Sequence, residues 1–272
     1  TVISLDDFVS GDGDDFVPKL SLSWDVSDQT MVYGLVSEGF RPGQFNNAAA
    51  RDVCGARAII DSDSLRNYEI GARTRLDNDR IRLNVTAFHI DWDDIQTSIF
   101  DFDCGFTIQE NAGKATSKGL ELEFTALLTD SLDLQGGIGY NEAKLDQANL
   151  ALNAPKGQRI PNVPKVTANL TATWQFNWSD AITGFLSGDV QYVGSRTTLF
   201  DPSAQEMFST PAELDAYTLI NLRLGAEKGR WRNELFVVNL FDEVADLFCC
   251  RLFVETAINR PRTIGIRTRY NF

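Results

Sequence analysis

The sequence holds a single histidine, His89, so sites built from several imidazoles, including the usual catalytic zinc sets, do not fit this chain. Positive charge is also scarce: 25 Lys and Arg against 38 Asp and Glu leave a formal net charge of -13. That balance argues against nucleic acid as a partner, because phosphate contacts need clustered cations. No apolar run approaches the roughly 18–20 residues of a membrane helix. The opening TVISLDDFVSGDGDD lacks both a basic and an apolar segment, so no signal peptide is expected on it. Proline and glycine are too few, at 8 and 20 of 272 residues, for a collagen-like or low-complexity chain.

What is present is alternation. From Val166 to Trp178 the even positions read Val, Ala, Leu, Ala, Trp, Phe, Trp, and the odd positions between them Thr, Asn, Thr, Thr, Gln, Asn. A period of two gives a strand with one apolar and one polar face. The pattern recurs at Leu120–Ala126, at Leu132–Tyr140 and at Ile264–Phe272. No helical period competes for more than a turn or two, and the chain reads as all-β.

Eleven strands are expected, near 18–26, 31–39, 65–77, 80–98, 106–128, 132–146, 163–177, 181–195, 215–228, 230–240 and 262–272. In the fourth, alternation slips at Phe88, which suggests a bulge or an exit from the patterned zone. Five connections are tight: 27–29, 78–79, 129–131, 177–180 and 228–229. Four others are long (40–64, 147–162, 196–214 and 241–261), and 99–105 is intermediate. Tight and long alternate, so the tight turns gather at one end of the sheet and the long loops at the other.

A soluble β-sandwich has no reason to sort its loops this way. An antiparallel outer-membrane barrel does, with short periplasmic turns, long outer loops and an apolar face against lipid. Trp174, Trp178, Tyr140, Tyr192, Trp231, Tyr270 and Phe272 near strand ends fit interfacial girdles. Eleven is odd, whereas single-chain bacterial barrels have even counts and antiparallel neighbours throughout. The expectation is therefore the C-terminal part of a larger barrel, residues 1–272, completed by strands that this chain lacks.

Seven stretches, in order and spacing, resemble the C-terminal β-barrel of TonB-dependent outer-membrane receptors. They are VYGLVSEGFRPGQFN (32–46), YEIGARTRL (68–76), LNVTAFHIDWDDIQ (83–96), NAGKATSKGLELEF (111–124), IPNVPKVTANLTATW (160–174), FVVNLFDE (236–243) and RPRTIGIRTRYNF (260–272). The resemblance implies a barrel of about twenty-two strands, of which this chain is about the last half, filled by an N-terminal plug that it lacks. It implies the cell outer membrane of a Gram-negative bacterium, with outer-membrane lipid and lipopolysaccharide around the wall. It implies TonB-driven uptake, through the plug, of a scarce nutrient: a ferric siderophore, haem, cobalamin or a saccharide. Covalent chemistry, catalytic residues and a cofactor are not expected. A terminal Phe272 preceded by Tyr270 resembles the signal read by the barrel-assembly machinery. The alternative is a passive porin-like or structural barrel component without a plug.

Candidate residues follow from these placements. Arg41, Gln44 and Asn46 sit where the second strand enters its loop, either facing a ligand mouth or capping the turn at Pro42-Gly43. Phe100, Phe102, Phe106, Phe200, Phe208, Phe248 and Phe253 lie in or beside outer loops and either line the mouth or pack the loops. Cys54, Cys104, Cys249 and Cys250 all fall on the outer side, where disulfides are expected and three connectivities are open. No metal site is expected from them. The charges Glu69, Arg73, Arg75, Arg82, Glu121, Glu123, Arg223, Glu227, Arg232, Glu234, Arg267 and Arg269 fall on polar faces, where opposite signs can pair across strands. The acidic loop residues Asp12, Asp14, Asp15, Asp61, Asp63, Asp101 and Asp103 either bind divalent cations near lipopolysaccharide or are simply solvated; they match no EF-hand spacing, and solvation is the expectation.

Overall fold

The computed structural model describes residues 16–101, 104–150, 152–200, 213–249 and 256–272. Eleven strands form one antiparallel sheet in chain order. They are β1 (Lys19–Ser27), β2 (Thr30–Arg41), β3 (Asp63–Leu76), β4 (Ile81–Asp93), β5 (Ala115–Thr129), β6 (Leu132–Leu145), β7 (Val166–Ser179), β8 (Ile182–Val193), β9 (Tyr217–Lys228), β10 (Trp231–Val238) and β11 (Thr263–Tyr270). β1 and β11 are edges, so within this chain the sheet is open. Short strand pairs outside the sheet and one two-turn helix, α1 (Ala48–Cys54), belong to the long connections.

The pairing register carries the alternation from strand to strand. Ala87 of β4 opposes Leu120 of β5, which opposes Tyr140 of β6. On the other face Thr86 opposes Glu121, which opposes Gly139. The apolar rows are therefore continuous across the sheet, and among the described residues nothing packs over them. Leu120 is 56% exposed, Ile138 50%, Leu170 41% and Ile266 79%. A soluble monomer rarely shows a continuous apolar patch beyond a few hundred Å², and a sandwich would have buried these residues under a second sheet. With every interior backbone group of the sheet in a ladder, the remaining demand of this face is an apolar solvent.

Aromatics border the face at both ends. Toward the tight turns Trp174, Phe176 and Trp178 stack in sequence at 4.9 and 6.1 Å, and Trp231, Tyr270 and Phe272 at 4.8 and 5.1 Å. Toward the loops Tyr68, Tyr140 and Tyr192 share the same face. Asn233 points to this face too, and there it accepts a 2.7 Å hydrogen bond from the Thr268 hydroxyl opposite.

The structure corrects two expectations. The strands expected at 80–98 and 106–128 end and begin at Asp93 and Ala115; the surplus residues form a separate hairpin, Gln96–Asp101 with Phe106–Asn111. Asp94 and Gly113, both left-handed with φ of 55° and 86°, turn the chain out of the sheet and back. The connection expected to be intermediate is thus a fifth long one, and the sorting of loops to one end is complete. Phe88 makes no bulge: β4 keeps register from Ile81 to Asp93. Phe88 lies on the polar face over Gly119, where an added Cβ would stand 2.7 Å from its ring. His89 lies on the opposite face, at the row where apolar residues give way to charge. The slip marks the exit from the patterned zone.

Tight turns use residues that tolerate positive φ. Asp77, Asn78 and Asp79 all adopt it between β3 and β4, and Gly229 does so between β9 and β10.

Candidate functional site

Two regions carry polar chemistry: the polar face of the sheet and the loop cluster at one end of it. All twelve charges expected on polar faces share one face by register. Near the last strands they form a ladder. Arg267 donates to Glu234 directly opposite at 2.7 Å, and Arg232 to Glu227 opposite at 2.5 Å. Arg223 reaches Asp189 at 3.4 Å. Arg232 lies 4.2 Å from the Phe185 ring centroid and Arg267 5.4 Å from that of Phe236. Those rings fill the spaces above Gly225 and Gly265, where an added Cβ would meet ring carbons at 2.4 Å. The ladder is thus rigid wall.

Further along the same face the chemistry opens. Glu121 and Glu123 oppose Gly139 and Gly137, so no side chain shields them from that neighbour. They line a groove of about 770 Å³ with Gln135, Asn169, Asp189 and Arg223. Asn84 donates to Glu123 at 3.4 Å.

The loop cluster is built from a few buried ties. Asp63, 1% exposed, begins β3 beyond the apolar zone, outside the membrane-spanning part of the strand. It accepts from Arg41 Nε at 2.9 and 3.0 Å, from Arg41 Nη2, and from the Gln96 backbone N–H at 3.0 Å. Burial alone would push the Asp63 carboxyl up; the Arg41 and Gln96 hydrogen bonds outweigh it and hold it below its ordinary value. Arg41, hydrogen-bonded to Asp63, is raised in turn. Arg41 also lies over the Trp92 ring at 5.1 Å. The solvated state expected for Asp63 is therefore corrected: it closes the β2–β3 connection through Arg41 and ties it to the β4–β5 connection through Gln96. Asp61 stays exposed and pairs with Arg57 at 3.1 Å.

Asn46 is a second tie, 5% exposed. Its amide donates to the Arg57 and Gln109 carbonyls at 2.8 and 3.0 Å, and its Oδ1 accepts from the Gln109 N–H at 2.7 Å. Both polar ends are thus spent within the loops. Gln44 is exposed, in a two-residue ladder opposite Ile60. Asn47 caps α1 by accepting from the Ala50 N–H at 2.8 Å, and Gly55 closes it with φ 66°. A disulfide then joins Cys54, at the end of α1, to Cys104 in the neighbouring hairpin, with Cα atoms 5.3 Å apart. Phe200 packs against a small loop core of Ile95, Ala112, Leu145, Leu152 and Ala154. Phe102, Phe208, Phe253, Cys250, Asp12, Asp14, Asp15 and Asp103, with the side chains of Phe100, Phe248 and Cys249, lie outside the described residues.

Several anchors carried no signal in sequence. Arg196, 5% exposed, donates to the Asp246 and Leu247 carbonyls at 2.8 Å. Asn239 and Asn259 clamp the last connection: Asn239 donates to the Glu243 carbonyl at 2.8 Å, and Asn259 to the same carbonyl at 2.9 Å. Asn239, with φ 54°, lies inside FVVNLFDE, so the stretch was visible although its role was not.

An antiparallel sheet with a lipid-facing apolar surface, aromatic girdles, an ion-paired inner wall and loops tied at one end defines the wall of an outer-membrane β-barrel. The family model for the TonB dependent receptor-like β-barrel matches residues 3–240, and the chain belongs to that family. The metal-pseudopaline receptor CntO of Pseudomonas aeruginosa is 27% identical over 210 residues, covering 75% of this chain and 26% of the relative. The pesticin receptor of Yersinia enterocolitica is 26% identical over 265 residues, covering 95% of this chain and 36% of the relative. The crystal structure of the ferric yersiniabactin uptake receptor FyuA from Yersinia pestis superposes with a TM-score of 0.75 at 22% identity, over 93% of this chain and 37% of that one. The chain thus spans between about a quarter and two-fifths of the length of these relatives.

Proposed function

We propose that this chain is the C-terminal half of the barrel of a TonB-dependent receptor in a Gram-negative outer membrane, and that the receptor takes up a metal bound to a small organic chelator. The observation that carries the transport reading is the division of faces: a bare apolar surface with Leu120 and Ile266 exposed, backed by an ion-paired polar wall. That wall suits a wet lumen around a plug rather than a packed core. The chelate reading rests on the similar receptors for metal-pseudopaline and ferric yersiniabactin.

The work of this chain is positional. Its loops form part of the ligand mouth, held by the Arg41–Asp63–Gln96 and Asn46–Gln109 ties and the Cys54–Cys104 link. Arg41, half-exposed above its tie, and the exposed Gln44 face the mouth, while Asn46 and Phe200 hold its shape. Preformed geometry of this kind lowers the ordering cost of binding. Energy enters through the plug by way of TonB, with no covalent step. Tyr270 and Phe272 present the barrel-assembly signal.

The test is uptake of radiolabelled iron or zinc chelates by cells carrying or lacking the gene, each with and without TonB. Uptake that requires both supports the proposal. Uptake that survives loss of TonB would make the protein a passive pore, and no uptake of any chelate would remove the substrate class.

A further inference from the structure

The long connections are chained one to the next, and the last link differs in kind. The β2–β3 and β4–β5 connections share a disulfide and the Asp63–Gln96 and Asn46–Gln109 hydrogen bonds. An apolar core of Ile95, Ala112, Leu152 and Ala154 joins β4–β5 to β6–β7. From β6–β7 to β8–β9, Arg159 donates to the Ser195 carbonyl at 3.0 Å and reaches Glu213 at 3.4 Å, and the Asn162 N–H donates to the Thr197 carbonyl at 2.7 Å. Between β8–β9 and β10–β11, both hydrogen bonds found among the described residues come from one atom. Arg196 Nη2 donates to the Asp246 and Leu247 carbonyls.

Arg196 is poorly matched to those partners. Its guanidinium does not deprotonate in proteins, and the residue is only 5% exposed. No carboxylate lies within 4.0 Å of it among the described residues. Glu213 is held by Arg159 and by the Ser195 hydroxyl at 2.7 Å, and Asp246, an exposed residue, offers Arg196 its carbonyl. Arg196 Nη1 is buried with no hydrogen-bond partner. The Tyr217 ring, 5.7 Å away, offsets the charge in part. A cation buried on neutral partners still lacks its counter-charge, and a carboxylate supplies it with two parallel bonds to the planar fork. Position agrees with such a visitor. Tyr217 opposes Val193 on the polar face, in the series that carries Asn221 and Arg223, so the guanidinium sits on the lumen side of the loops.

We infer that Arg196 latches the β10–β11 connection at the mouth, closed on two neutral carbonyls and released when a carboxylate of the incoming chelate takes its guanidinium. The inference rests on the chelate-receptor reading above and adds to it an anionic arm on the ligand. Asn239 and Asn259 fasten the connection within itself at the Glu243 carbonyl, so it moves as a unit.

The experiment uses the intact receptor containing this chain in detergent, with citrate as the carboxylate probe and sodium chloride at matched ionic strength as the control. Nitroxides attached through non-cysteine residues at the exposed positions Leu150 and Val244 report the distance between connections by double electron–electron resonance. Citrate raises the ratio of open to closed populations by about tenfold or more in the unaltered receptor, the scale of losing a hydrogen bond from a charged group, and chloride does not. In Arg196→Gln the ratio is already raised by about that factor and citrate adds nothing, while Arg196→Lys, which keeps the charge and a donor, falls between. The heat-modifiable shift on electrophoresis reports barrel integrity, and the citrate comparison on the unaltered receptor stands whether or not a variant folds. No response to citrate, an equal response to chloride, or an unchanged ratio in Arg196→Gln overturns the latch. Failure of the transport reading shows separately, as absence of chelate uptake beside an intact citrate response.

Discussion

Replacing Arg41 with Ala leaves the Asp63 carboxylate, 2% exposed at its side chain, without its cation. Removing one member of a buried pair costs about 3–5 kcal/mol. Arg41 itself is 48% exposed, so water screens its side of the pair and brings the cost below that range, to about 2–3 kcal/mol. The loss is local to the loops, because the Gln96 N–H that Asp63 also accepts begins the 96–101 hairpin strand. Hydrogen exchange at the Gln96 amide is the direct assay, and 2–3 kcal/mol predicts acceleration by roughly thirty- to 150-fold. Asp63→Ala is milder: the guanidinium turns to solvent, and what remains is an unsatisfied Gln96 N–H, costing about 1–3 kcal/mol. The double variant behaves like Asp63→Ala alone, so the two losses are not additive. The pH response has a definite sign. The Asp63 carboxyl is depressed in the folded protein, so its contribution is complete above its unfolded value, near 3.9, and is lost as pH falls through the depressed value. Exchange at Gln96 faster by less than about threefold in Arg41→Ala, or loosening of the tie between about pH 5 and 7, would refute this reasoning.

Three further outcomes follow. Cys54→Ser frees a covalent closure across a sequence separation of 50 and lowers loop stability by about 3–5 kcal/mol on the chain-entropy account; faster cleavage of the loops by added protease, with the sheet intact, is the readout. Gly225→Val forces a Cβ against the Phe185 ring at 2.4 Å and the Asn233 carbonyl at 2.7 Å; overpacking destabilises by about 1–3 kcal/mol and lowers the urea midpoint for unfolding. Phe272→Ser removes a residue 104% exposed that touches Tyr270 alone in the aromatic series, so unfolding of the assembled barrel changes little while the amount reaching the outer membrane falls, measured by fractionation.

The sheet was legible in sequence because alternation is set by each residue's own polarity and needs no distant partner. All eleven strands and the loop sorting follow from it. Where it misled, at Gln96–Asp101 and Phe106–Asn111, those segments are true strands that pair with each other instead of extending β4 and β5; periodicity reports a strand and not its sheet. The loop ties were not legible. Asp63 and Gln96 are 33 residues apart, and Asn46 and Gln109 are 63 apart. Their polar side chains read as solvated until the β2–β5 register brings the loops together. An apolar groove on the outward face was hidden differently: Gly34 and Ala87 look ordinary singly and form a depression only once β2 and β4 are set one strand apart.

The central claim, that even-numbered side chains of β5 meet lipid and odd-numbered ones a wet lumen, is tested by nitroxide labels placed singly from position 119 to 126 in liposome-reconstituted receptor. Labels at Leu120, Leu122, Phe124 and Ala126 should favour oxygen, and those at Gly119, Glu121, Glu123 and Thr125 a water-soluble nickel chelate, alternating without a break. Even positions shielded from both reagents, or odd positions preferring oxygen, would contradict it.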